Sequence, residues 1–189
     1  MPTPPDFTAG TSLAAASLNK IGMWAIATST FTNVASIQIN DCFTSDYVNY
    51  RIVLNLYSTA TGARYAWFRL VDGTTPTTTN YWGKSLWTVQ TDVSLTPGTY
   101  DARTDRGCLG PIGYAANGEG AYVLDIHEPQ VARNTRVEML GQGLYAGTAW
   151  YMVNGATVHI GTTSFEGIQF FPSADNITGN VTVYGYNTI

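Results

Sequence analysis

The chain has 189 residues and a mass of 20.4 kDa, enough for one domain that buries a core of its own. Charged residues make up only 12%, the net charge is −4 and no Lys/Arg cluster occurs, which excludes a phosphate-tracking surface and argues against a nucleic-acid partner. Aromatics reach 13%, with Thr, Gly, Tyr and Asn frequent and no apolar run near the ~18–20 residues of a membrane span; this is a β-rich composition with no membrane partner expected.

In chain order, residues 1–10 are proline-rich and carry no basic region followed by an apolar stretch, so no secretory signal is expected. Residues 11–20 read as one short helix: Thr11 or Ser12 can cap it, its alanines favour it, Lys20 suits its C-terminal dipole and Gly22 stops it. This divides the chain into an arm with a short helix, 1–22, and a β-sandwich domain, 23–189. Strands are expected over Met23–Thr30 and Val34–Asn40, with Ile37 and Ile39 on one face. The clearest strand is Asn49–Tyr57, where Tyr50, Ile52, Leu54 and Leu56 oppose Arg51, Val53, Asn55 and Tyr57. Arg64–Val71 follows, then an exposed Thr-rich loop to Asn80, then Tyr81–Gln90 with a bulge expected at Gly83.

Residues 91–120 read as a long irregular loop, of the kind that usually contacts a partner. Ala121–His127, Thr135–Leu140 and Ala149–Ile160, the last broken at Asn154-Gly155, resume the strands. Phe165–Tyr186 carries period-two alternation on both sides of a polar stretch from Ser173 to Asn180, which reads as a sheet-closing hairpin. About eight to ten short antiparallel strands with Gly/Pro/Asn punctuation predict an all-β, jelly-roll-like sandwich.

Residues that could carry chemistry are few. Asp125 and His127 share a strand face, but a metal would need a third ligand such as His159; a strand end with a hydrogen-bonded Asp–His pair, followed by Glu128, is the preferred reading. Asp101, Arg103, Asp105 and Arg106 lack the calcium-loop pattern and read as a solvated or intersubunit salt-bridge loop. Neither a G-x-S-x-G elbow nor a dinucleotide fingerprint occurs; Gly141-Gln-Gly143 continues into Leu-Tyr-Ala. Cys42 and Cys108 read as reduced, mostly buried thiols, and Asn176-Ile-Thr and Asn180-Val-Thr as turn chemistry. No catalytic residue, cofactor or metal ligand is assigned. Aromatics near loops, Trp82, Trp87 and Trp150 foremost, could stack on glycans or form an interface, with plain core packing as the alternative.

Three stretches together carry a family likeness: Phe7-Thr-Ala-Gly-Thr-Ser-Leu-Ala-Ala-Ala-Ser-Leu-Asn19, Phe43-Thr-Ser-Asp-Tyr-Val-Asn-Tyr-Arg-Ile-Val53, and Phe165–Tyr186 with its Gly-Ile-Gln-Phe-Phe-Pro-Ser and Ile-Thr-Gly-Asn-Val-Thr-Val-Tyr-Gly-Tyr. They resemble small β-sandwich virion proteins of tailed bacteriophages and cyanophages: head decoration (cement), minor tail or tail-fibre proteins. The resemblance is loosest from about Gly73 to Gly120. It implies a non-enzymatic virion surface protein made in the host bacterial cytoplasm. It further implies homo-oligomers, commonly trimers, whose partners are the major capsid protein or tail proteins. On this expectation Phe7, Leu13 and Leu18 of the arm, and Tyr100, Arg103 and Arg106 of the long loop, meet the partner. Decoration of the head outranks a tail component that touches host glycans.

Overall fold

A computed structural model describes residues 22–59, 61–62, 64–89, 105–114, 118–145 and 149–186. The proposed helix at 11–20 and nearly all of the arm lie outside these residues. Twelve strands form two packed antiparallel sheets: β1 (Trp24–Val34), β2 (Ile37–Ile39), β3 (Asn49–Ser58), β4 (Arg64–Asp72), β5 (Thr75–Pro76), β6 (Tyr81–Val89), β7 (Gly107–Ile112), β8 (Gly120–His127), β9 (Thr135–Tyr145), β10 (Ala149–His159), β11 (Gly167–Pro172) and β12 (Ile177–Tyr186). The all-β sandwich expected from the alternation is therefore what forms. The large sheet has the order β1-β12-β3-β8-β9-β10-β6. The small one runs β2-β11-β4-β5, with β7 also paired to β4.

Alternation decides which side of each strand is buried. On β3, Tyr50, Ile52, Leu54 and Leu56 are fully buried while Arg51, Val53, Asn55 and Tyr57 face out. Tyr122, Leu124 and Ile126 on β8, Val137 and Met139 on β9 and Val181 and Val183 on β12 continue that inner face. The small sheet answers with Phe68 and Leu70 of β4 and Ile168 and Phe170 of β11.

Four sequence expectations are corrected. Phe165–Tyr186 is not a hairpin: β11 pairs with β2 and β4 in the small sheet, whereas β12 pairs with β1 and β3 in the large one. The polar stretch that reads as a turn is a crossover between layers. Period-two alternation marks a half-buried strand but not the sheet that owns it. Gly83 carries no bulge, because β6 and β10 pair without a shift from Tyr81↔His159 to Val89↔Tyr151. Nor does Asn154-Gly155 break β10. A Cβ at 155 would lie 2.9 Å from Met139 Cε and 3.0 Å from Ser85 Cβ, so glycine here serves close packing rather than a turn. Within the supposed loop 91–120 lies β7, whose Gly110 at φ 132 and Pro111 disguise a strand as a turn.

These faces generate a contrast. Leu54→Ala is expected to cost about 2–5 kcal/mol, whereas Leu140→Ala, on the outer face, should stay within about 0.5 kcal/mol. Gly143→Ala would place a Cβ 1.7 Å from the Pro111 carbonyl oxygen and should cost at least about 1–3 kcal/mol. Urea-unfolding midpoints check all three. Equal costs at 54 and 140 would contradict the assigned faces.

Candidate functional site

The large sheet's outer face is organised in rows that cross its strands, fixed by the pairing register. The row at one end runs Asn49–His127–Arg136–Val158–Trp82. Beside it runs Arg51–Asp125–Glu138–Ala156–Lys84, then Val53–Val123–Leu140–Asn154–Leu86. The next row holds Asn55, Ala121, Gln142 and Met152. The face thus passes from a polar end through a charged row to an apolar field. Leu86, Leu140 and Met152 expose 56%, 60% and 66% of their surface there. A depression of about 310 Å³ lies among Val53, Ala121, Val123, Leu140 and Met152. Large apolar side chains clustered in this way on a surface mark a contact face.

The charged row is internally compensated. Asp125 and Glu138 stand directly opposite one another, an unfavourable pairing of like charges. Arg51 answers it with a bidentate grip on Asp125, Nε to Oδ1 at 2.8 Å and Nη2 to Oδ2 at 2.7 Å, and the Asp125 carboxylate is the main cause of the raised Arg51 pKa. This corrects the expected Asp125–His127 pair: the carboxylate belongs to Arg51, and the nearest acid to His127 is Glu138, 4.0 Å from Nε2. Among the described residues no group of three or more His, Cys, Asp or Glu is placed to hold a metal ion.

At the polar end, the loop 128–134 and the segment 160–162 enclose a cleft of about 870 Å³ with His127, Arg133, Asn134, Arg136, Ile160 and Thr162 on its walls. Its walls are tied down. Glu128 N–H donates to Val48 O at 3.0 Å, and Phe165 N–H to Pro129 O at 2.8 Å. The Gln130 amide donates to Phe43 O and Phe165 O at 2.8 and 2.9 Å, and Asn134 Oδ1 accepts from Gly161 N–H at 3.1 Å. Glu128 sits at φ 54, uncommon for a residue with a side chain. Its carboxylate pairs with Arg133. His127 Nε2 is buried without a hydrogen-bond partner among the described residues.

Beneath the cleft, His159 is buried between Tyr81 and Phe165, its ring centroid 5.0 and 4.8 Å from theirs. Burial lowers its pKa below the ordinary value, against a smaller opposing contact from the Thr79 backbone. The remaining sites divide as follows. Phe7, Leu13, Leu18, Tyr100 and Arg103 lie outside the described residues. Arg106 is engaged within the chain: it bonds Asp105 at 3.0 Å and stacks 3.8 Å above the Trp67 ring. Burial pushes the Asp105 carboxyl up, but Arg106 and then Arg69 outweigh it and leave the pKa below its usual value. Trp87 is a core residue, 9% exposed, stacked on Tyr65 at 5.2 Å with its Nε1–H donated to Ser85. Trp150 is half-buried over Gly118, whereas Trp82 stands out at 57% exposure. Cys42 and Cys108 are free, and burial pushes each thiol up to about 12, so neither is a nucleophile at neutral pH. The cleft has no signal in the sequence beyond the loop-forming segment Glu128–Asn134 after His127. No protein-family model matches the chain, and no curated protein matches its sequence.

The buried His159 has a signature. Its folded pKa is depressed, so below the ordinary value of 6.5 the unfolded chain takes up a proton that the folded one refuses. Stability should therefore fall as pH drops from 6.5 toward the folded pKa, and His159→Phe should flatten that limb. Urea midpoints between pH 7.5 and 5 test this; an unchanged slope in the variant would assign the pH dependence elsewhere.

Proposed function

We propose that this chain is a non-enzymatic structural protein of a tailed-phage virion, a decoration (cement) protein that sits on the outside of the head, bridges major-capsid subunits and stabilises the shell. The likeness of the three sequence stretches to such proteins supports the virion assignment. The observation that carries a docking role is the apolar field on the outer face of the large sheet. Leu86, Leu140 and Met152 contribute nothing to the core from that side. Burying a half-exposed side chain of this size against a partner is worth roughly 1–2 kcal/mol. A symmetric lattice multiplies such contacts through avidity. The arm, residues 1–22, is the proposed capsid anchor, and the working oligomer is a trimer.

A second reading has one observation in its favour. Trp82 is exposed at the polar end of the same face, in the row that contains His127 and Arg136. An exposed indole beside hydrogen-bonding groups suits a tail component, a minor tail or fibre protein, that contacts host-surface glycans.

Copy number per particle, measured by quantitative mass spectrometry of purified virions, separates the two. Copies on the order of hundreds, as a lattice supplies, fit decoration, and a few to a few tens fit a tail station. Deleting residues 1–22 should abolish attachment to particles while circular dichroism still shows a folded β protein. The triple variant Leu86→Ser, Leu140→Ser, Met152→Ser should weaken attachment at least about tenfold with little loss of stability. Undiminished attachment of both variants would overturn the docking assignments.

A further inference from the structure

We propose that the polar end cleft is an oxyanion site, and that its ligand is a saccharide bearing a carboxylate. The oxyanion part stands on the geometry alone, while the saccharide part rests on the glycan-contact reading. Two arginines, Arg133 and Arg136, stand on the walls against one carboxylate, Glu128. Arg136 has a planar fork of five N–H donors and no ion-pair partner among the described residues. His127, directly opposite it on β8, lines the same cleft, with its Nε2 buried and 4.0 Å from Glu138. The Asn134 amide uses its oxygen on Gly161 N–H, which leaves its NH₂ as a donor. On the acceptor side, the Glu128 carboxylate is occupied by Arg133. Such a set lacks a planar, charged acceptor, and a carboxylate supplies one with the spacing that a guanidinium fork matches.

The size and edges of the cleft argue for more than a bare anion. About 870 Å³ exceeds what a carboxylate fills and lies in the range of small-molecule sites. Val48 and Ile160 give the wall an apolar margin for the C–H face of a sugar. Trp82 lies two strand spacings from Arg136 in the same outward row, roughly 10 Å away. The exposed indole there is available for stacking. The cleft is also pre-formed, because backbone and Gln130 hydrogen bonds hold the loop 128–134 in place. A pre-formed site avoids ordering costs on binding. Glu138, 4.0 Å from His127 Nε2 and largely exposed, is an opposing charge beside the cleft. It should therefore restrain affinity.

The test is a titration of the full chain, followed by calorimetry and by ¹⁵N-resolved NMR, with D-glucuronate, D-glucose, acetate and inorganic phosphate. D-Glucuronate should shift the amides of 128–136 and 160–162 and bind at least about tenfold more tightly than glucose, as a charged hydrogen-bonded pair provides. Arg136→Gln should remove that preference, and Glu138→Gln should strengthen glucuronate severalfold. Trp82→Ala should weaken glucuronate severalfold but leave acetate unchanged. Lys84→Gln, a surface charge outside the cleft, should change nothing; thermal melting checks that each variant is folded. Equal binding of glucose and glucuronate, or an unaffected Arg136→Gln variant, overturns the oxyanion site. Phosphate binding as tightly as glucuronate with Trp82→Ala silent overturns the saccharide assignment. Location on the virion is decided separately by copy number, so either result leaves that question untouched.

Discussion

Buried tyrosine hydroxyls tie the two sheets together: Tyr81 of β6 accepts from Leu70 N–H of β4 at 2.8 Å, and Tyr122 makes the second link. Tyr122, on the inner face of β8, donates its O–H to the carbonyl of Pro111 in β7, joining the large sheet to the small one. The contact exists only because three neighbours lack side chains. A Cβ at Gly141 would lie 2.2 Å from Tyr122 Cδ1, one at Gly120 would lie 2.9 Å from Tyr122 Cε2, and one at Gly143 would lie 1.7 Å from the Pro111 oxygen. Burial pushes the phenol's pKa well above its ordinary value, so it is a neutral donor at neutral pH. Much depends on this link, because the small sheet is weakly built on its own. β2 has three residues and β5 two, and β4 carries β11 on one edge and both β5 and β7 on the other. An isolated sheet of such pieces is marginal in water. Packing against the large sheet through β7 and the shared core is what makes it persist.

Once the inner faces are committed to the core, the outer face of the large sheet is free of folding demands. What occupies it is correspondingly informative. A solvated sheet face normally alternates polar residues outward. Here the alternation holds at β3 with Arg51 and Asn55, but it lapses where Leu140, Met152 and Leu86 converge across β9, β10 and β6. The lapse is confined to one field, bordered on one side by the compensated Arg51–Asp125–Glu138–Lys84 row. An apolar centre with a polar border is the composition of a protein interface. The border also divides the two proposed activities of the face, protein docking on the apolar side and ligand capture at the polar end.

Layer membership was what sequence could not supply. Alternation in Tyr50–Tyr57 or Ile177–Tyr186 reports that one face is buried, and the structure agrees residue by residue. It is silent about partners, since a strand entering a hairpin and one crossing to the opposite sheet bury the same alternate residues. Ser173–Asn180 therefore reads as a turn, whereas Ser173–Asn176 is a crossover and Ile177–Asn180 opens β12. Gly83, Gly110-Pro111 and Asn154-Gly155 misled for a related reason. Glycine is read locally as a break, but its role here is set by atoms distant in sequence, such as Val153 Cγ2, 2.8 Å from where a Cβ at 110 would stand. The same limit hid the cleft. Trp82 lies far along the chain from His127 and Arg136, and the three meet in one row only through the β8–β9–β10–β6 register.

The cleft's rigidity follows from how its loop is attached. Glu128 leaves β8 in a left-handed conformation that costs on the order of 1 kcal/mol for a residue with a side chain. That strain persists because the following residues are fastened to three separate segments: Val48 before β3, Phe43 in the preceding loop and Phe165 ahead of β11. Four such hydrogen bonds, at about 1 kcal/mol each, outweigh it. The sharp turn after His127 sends the loop away from the strand direction, and Asn134 returns it to β9 while bonding Gly161 across the opening. Arg136 and His127 are then left side by side on rigid strands, with the loop standing clear of them. A polar site on strands, walled by a loop fastened to three other segments, keeps Arg136 exposed to solvent.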